Sequence, residues 1–133
     1  MRHETVHPEG WLPAKGYANG MLTRDGTLHI GGQIGWDANK RFVDGGFVEQ
    51  MQQALQNIAD IVTTAGGEVR DITRLTWFVT DKAEYLARQA EVGAAYRTVF
   101  GKHYPAMSMV VVAGLIEDAA LVEIEATAHI GTD

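Results

Sequence analysis

The chain has 133 residues, a net charge of −6 at pH 7, 46% hydrophobic and 21% charged residues, and no cysteine. This balance excludes a disordered chain, and the missing thiols exclude disulfides, thiol catalysis and thiolate–metal sites. The 11 Lys and Arg are scattered along an acidic chain, so a phosphate backbone would be repelled and nucleic acid is not an expected partner.

The length suits one domain, residues 1–133, with a core of its own. No apolar run is long enough to span a bilayer, so no membrane partner is expected. The start, Met1-Arg2-His3-Glu4, carries no apolar stretch before Pro8. A secretory signal is therefore not expected, and with the lack of cysteine this points to the cytoplasm. His3 and His7 are read as part of a mobile terminus, and residues 8–20, rich in Gly and Pro, as an irregular lead-in.

In chain order, Met21–Arg24 and Thr27–Ile30 flank Asp25-Gly26, the pair preferred in type I′ turns, which predicts a β-hairpin. Gly31-Gly32 follows and suits a bulge or the close approach of another group. Residues 47–65 place Val48, Met51, Leu55, Ile58, Ala59 and Val62 on one helical stripe, stopped by Gly66-Gly67. Residues 72–80 are β-branched and aromatic and predict a strand. Asp81 with Glu84 forms a capping box for a second helix running to Phe100, where Gly101 stops it. Its inward face is read as Leu86, Val92, Tyr96, Val99 and Phe100.

Two strands complete the pattern. Residues 107–113 are almost all apolar and predict a strand buried on both faces. Residues 121–130 alternate, with Val122, Ile124, Ala126, Ala128 and Ile130 on one face and Glu123, Glu125, Thr127 and His129 on the other. The order predicts an α+β protein: a mixed sheet with two helices on one face. Its opposite face needs a cover that a second copy of the chain can supply.

The five histidines show no metal-ligand spacing, so no metal site is expected. Gly31-Gly32 leads along a strand rather than opening a helix, so it is not a phosphate loop. His103 reads as a surface-loop residue. Glu123 reads equally as a solvated strand residue and as a general base, Tyr17 as a packing residue or a cleft residue, and Met107, Met109 and Val111 as core or as an apolar cleft wall.

Four segments in register resemble the Rid (YjgF) family of reactive-intermediate deaminases: Gly16-Tyr17-Ala18-Asn19-Gly20, Gly31-Gly32-Gln33-Ile34, Tyr104-Pro105-Ala106-Met107-Ser108, and Val122 to Ala128. The resemblance implies a chorismate-mutase-like fold and a homotrimer, with the sheets forming its inner wall and three clefts between neighbouring subunits. It implies a small-molecule metabolite as partner, hydrolysis of imines and enamines such as 2-iminoacids, and no cofactor or metal. Carried over residue by residue, Glu123 matches the glutamate that orients the attacking water and Tyr17 the tyrosine that closes over the cleft. Gly31 stands where a serine is common, Met109 where a cysteine is, and Gly93 where an asparagine is. Met107 stands where the family's arginine clamps the substrate carboxylate, and Met cannot donate a hydrogen bond to an anion. Small 2-iminoacids are therefore expected to be poor substrates, with Lys15 the first candidate for a replacement cation. The alternative expectation is a trimer that binds a small metabolite without catalysis.

Overall fold

The computed structural model describes residues 2–131. One six-stranded sheet runs through it: β1 (His3–Val6), β2 (Gly20–Thr23), β3 (Thr27–Gln33), β4 (Ile72–Val79), β5 (Ala106–Val111) and β6 (Val122–His129), in the spatial order β1-β2-β3-β6-β4-β5. Only β4 and β5 pair in parallel; the other neighbours are antiparallel. The helices are α1 (Phe47–Thr64), α2 (Lys82–Ala87) and α3 (Gln89–Phe100). The α+β architecture read from the residues is the one observed, and none of the described helices is long and apolar enough to cross a membrane.

All helices cover one face of the sheet, and periodicity explains why. On α1, Phe47, Met51, Leu55, Ile58, Ile61 and Val62 are buried, the i, i+3/i+4 spacing of a core-facing stripe. They meet Leu28 and Ile30 of β3, Leu75 and Trp77 of β4, and Val122, Ile124, Ala126 and Ala128 of β6. These are alternate strand residues, so their neighbours point to the other face, which the chain leaves uncovered.

Several expectations change. The hairpin turn is not type I′, because Asp25 has no positive φ; Gly26 does, at 93°. Gly26 N–H donates to the Thr23 carbonyl at 3.0 Å, and residues 24–26 form a three-residue loop with glycine in the left-handed position. The N-terminus is not a free tail: His3 lies in β1, and His7 bonds to the Trp11 carbonyl and to Asn19. The helix from Asp81 breaks at Arg88 into α2 and α3, and Leu86 is 52% exposed rather than inward. The strand expected to be buried on both faces, β5, is an edge strand with Met107, Val110 and Val111 exposed. Val110 and Val111 are left open within one chain, and only Met109 is packed against the core.

Candidate functional site

The open face of the sheet is built around a glycine bulge. β3 pairs regularly with β6 up to Ile30 opposite Ala126, and the register then shifts before Gln33 opposite Ile124. Gly31 and Gly32 there oppose the single residue Glu125, one residue in excess. Gly31 N–H donates to the Asn19 carbonyl at 2.9 Å, so the lead-in lies against it. A Cβ at Gly32 would collide with the Glu123 carboxylate. The absent side chain leaves room for that carboxylate to lie over bare backbone, which is the close approach that Gly-Gly in a strand signals.

Glu123 is half-buried on this face, beside Phe78 of β4. Burial pushes its carboxyl pKa up, and the nearby Glu125 adds to the rise. Glu125 is exposed and shares a shallow polar groove with Arg74, His29 and Thr127. Arg74 is therefore near Glu125, but the two form no ion pair.

A buried amide network fixes the lead-in relative to the bulge. Gln33 Nε2 donates to Asn19 Oδ1 at 3.1 Å and to the Gly31 carbonyl at 3.2 Å, and Asn19 Nδ2 lies 3.4 Å from His7 Nδ1. Both amides are buried. Tyr17, two residues before Asn19, is 51% exposed, with Lys40 Nζ 5.9 Å from its ring centre. Lys40 Nζ also donates to the Pro13 carbonyl at 2.9 Å. A cation held over a ring stabilises such a loop modestly.

Met107 and Met109 lie on the other face. Met107 stands beside Leu75, and Met109 beside Trp77, whose neighbour across β6 is Ile124 of the core. Both methionines point toward α3 and line a cavity of about 330 Å³ with Trp77, Val92, Tyr104 and Arg97. Tyr96 and Tyr104 stack in its wall, 5.4 Å apart and 8° from parallel. The Tyr96 hydroxyl donates to the His103 carbonyl at 2.6 Å, and burial, aided by Tyr104, pushes its pKa up to about 12. His103 is structural: its Nε2 lies 2.8 Å from the Ile72 carbonyl.

Within one chain, the residues read from the sequence thus fall into two groups. Glu123 and Gly31 lie together on the open face, with Tyr17 on the loop docked beside them. Met107 and Met109 lie together under α3. Sequence reasoning missed Arg97 and Trp77 of the second group. It also missed Gln50 and Asn57, buried amides of α1. Gln50 grips the Ala119 carbonyl and Leu121 N–H, each at 2.9 Å, while Asn57 grips the carbonyls of Ile34 and Trp36. The signal for those two was a polar residue inside an apolar helical stripe.

Comparison with known proteins agrees with this fold. A family model described as endoribonuclease L-PSP matches residues 9–130. A 2-iminobutanoate/2-iminopropanoate deaminase from Capra hircus is 35% identical over 113 residues, covering 84% of this chain and 78% of the relative. RutC family protein UK114 from Drosophila melanogaster is 36% identical over 115 residues, covering 86% and 80%. The crystal structure of the YjgF gene product from E. coli is similar with a TM-score of 0.79 at 34% identity, covering 95% of this chain and 98% of that one. Four motifs in register, the sheet order and these matches lead to one conclusion: the chain belongs to the Rid/YjgF family, whose model is described as endoribonuclease L-PSP.

Proposed function

We propose that this protein is a deaminase-like hydrolase acting on a small imine or enamine, in a cleft completed between neighbouring subunits of a homotrimer. The observation that carries the reading is the Glu123 carboxylate, half-buried and laid over the bare backbone of Gly32. A carboxylate there can take a proton from water as the oxygen adds to the C=N carbon. It then returns that proton to nitrogen, giving a carbinolamine; the carboxylate next moves the hydroxyl proton to nitrogen as well, the C–N bond breaks, and ammonia leaves with the electron pair while the carbon becomes a carbonyl. An enamine first takes a proton at carbon to become the imine. A raised pKa makes the carboxylate a stronger base. The relative named a 2-iminobutanoate/2-iminopropanoate deaminase supports this chemistry.

Exposed surface supports self-association. The chain exposes 7683 Å², against about 6,900 Å² for a typical monomer of this mass. Met107, Val110 and Val111 of the edge strand β5 and Ile116 of the loop after it are exposed apolar side chains. Association there would bury them and bring one chain's Glu123 face to a neighbour's α3 cavity. Residues on opposite faces of one sheet cannot otherwise share a substrate.

The test is Glu123→Gln, which keeps shape and removes the base. Turnover measured as ammonia release from imines generated in place by an amino-acid oxidase should fall about two to four orders of magnitude, with binding little changed. Equal turnover in the variant and the parent would overturn the mechanism. A metabolite-binding trimer without catalysis is the second reading, favoured by Met107 in place of an anion-binding residue. It wins if ligands bind and no imine is hydrolysed faster than in buffer.

A further inference from the structure

We infer that Arg97 is the anion-binding group of the cavity under α3, and that the cavity takes a carboxylate carrying an apolar or aromatic body larger than a two- or three-carbon acid. The inference rests on the proposed function only in assigning this cavity to the substrate.

Arg97 lines the cavity, and its position depends on Gly93 one turn earlier. A Cβ at Gly93 would lie 3.2 Å from Arg97 Nη1 and 3.9 Å from Cζ. The guanidinium therefore occupies space that a side chain at residue 93 would otherwise claim. Residues four apart on a helix are neighbours, so this arrangement follows from spacing. The two arginines of this region differ. Arg88 is neutralised by Glu84 and Glu91, each at 3.3 Å. Among the described residues, no carboxylate lies within ion-pair distance of Arg97. Its charge and planar donors remain available beside an apolar wall, in a chain whose net charge is −6.

Trp77 also lines the cavity; its Nε1 is buried out of reach of the cavity with no hydrogen-bond partner among the described residues, so Arg97 is the charged group that a ligand there meets. Lys15 is exposed on the lead-in and does not line the cavity. Apart from Gln89, the remaining walls are thioether, aliphatic and aromatic. At about 330 Å³ the volume matches the lower range of small-molecule sites. An acetate-sized anion would leave most of the apolar wall unfilled, whereas an aromatic acid would cover it.

The test titrates the whole protein with benzoate, with benzamide as a neutral molecule of the same shape, and with acetate as the small acid. Binding is read calorimetrically and at the Trp77 indole N–H resonance. Benzoate should bind about tenfold tighter than benzamide, the scale of one charge-assisted hydrogen bond, and tighter than acetate. Arg97→Gln should bring benzoate and benzamide within twofold of each other, by roughly the same argument. Arg97→Lys should keep part of the preference. Gly93→Asn, which fills the guanidinium's place, should weaken benzoate without touching Arg97 itself. Equal binding of benzoate and benzamide by the parent would overturn the inference. So would no benzoate binding, or a preference that survives Arg97→Gln, either of which would make Arg97 a helix-end charge facing water. Imine hydrolysis on the same samples separates the two claims. An Arg97-dependent preference without hydrolysis upholds the anion site and sinks the deaminase. Hydrolysis dependent on Glu123, with benzoate binding indifferent to Arg97, does the reverse.

Discussion

The two faces of the sheet make a useful contrast. The open face holds a half-buried carboxylate over a glycine bulge, in polar and shallow surroundings. The helix face holds an apolar cavity with one arginine, and among the described residues no carboxylate lines it. One face can move protons but offers a substrate little to grip. The other can grip a substrate but has no base. Strand alternation enforces the separation: Glu123 and Ile124 are adjacent in sequence and must point opposite ways. The proposed reaction, which uses both halves, would draw them from different chains.

The sharpest way to break this contrast is complementation. Glu123→Gln removes the first half, and Met109→Trp fills the second. If the halves meet between chains, each variant alone is nearly inactive, yet the co-expressed pair recovers roughly a quarter of parental activity, because randomly mixed trimers pair intact halves that often. No recovery above the sum of the separate variants would mean that each cleft belongs to one chain.

The next effect concerns what holds the open face in place. Gly35 packs against α1 so closely that a Cβ would lie 2.5 Å from the Cβ of Gln50 and 2.7 Å from its Cα. Gly35→Ala must shift backbone or helix, so it should cost about 1–3 kcal/mol by chemical denaturation. A neutral result would mean that α1 can slide over residues 34–36 despite its Gln50 and Asn57 bonds.

Gly93→Ala sharpens the contrast on the helix face. Gly93 lies within α3 and has no positive φ, so alanine should gain up to about 1 kcal/mol of helix propensity. The Cβ meets only the mobile end of Arg97. Stability should rise while benzoate affinity falls. Loss of both would show that the helix packs too tightly there for this account.

The smallest effect is a pH signature. Glu123 has a raised pKa in the folded chain, chiefly from burial and then from Glu125. Above the ordinary value of 4.5 the folded state holds this proton more tightly than the unfolded state, so the ionised carboxylate opposes folding. The stability linked to Glu123 therefore falls as pH rises through that window. Glu123→Gln should raise Tm slightly at neutral pH and leave it unchanged below about pH 4, where both states are protonated. A gain of equal size at both pH values would assign the effect to packing instead of ionisation.

Much of the fold was legible because it is written in local periods. The stripe from Met51 to Val62 marks α1, and the alternation from Val122 to Ile130 marks β6 and its two faces. The β1 strand was not legible: three of its four residues, His3, Glu4 and Thr5, are exposed and polar, and its stability comes from backbone bonds to β2. Apolar composition in β5 was read as burial, but composition cannot tell an edge strand awaiting a partner from a central one. Of the site, Glu123 and the glycine pair were marked by motif and alternation.

By itself the sequence determined the α+β class, the hairpin, the main helix, the orientation of every side chain on β6, and the family. These follow from nearest-neighbour geometry and from motifs whose order survives in the chain. Only the tertiary structure decided that Gly32 exists to admit Glu123, that the methionines face α3 away from it, and that Arg97 occupies the gap left by Gly93. Each depends on the sheet order β3-β6-β4-β5 and on α3 facing β4 and β5 across one cavity. Contacts between segments far apart in sequence depend on packing that no local pattern records.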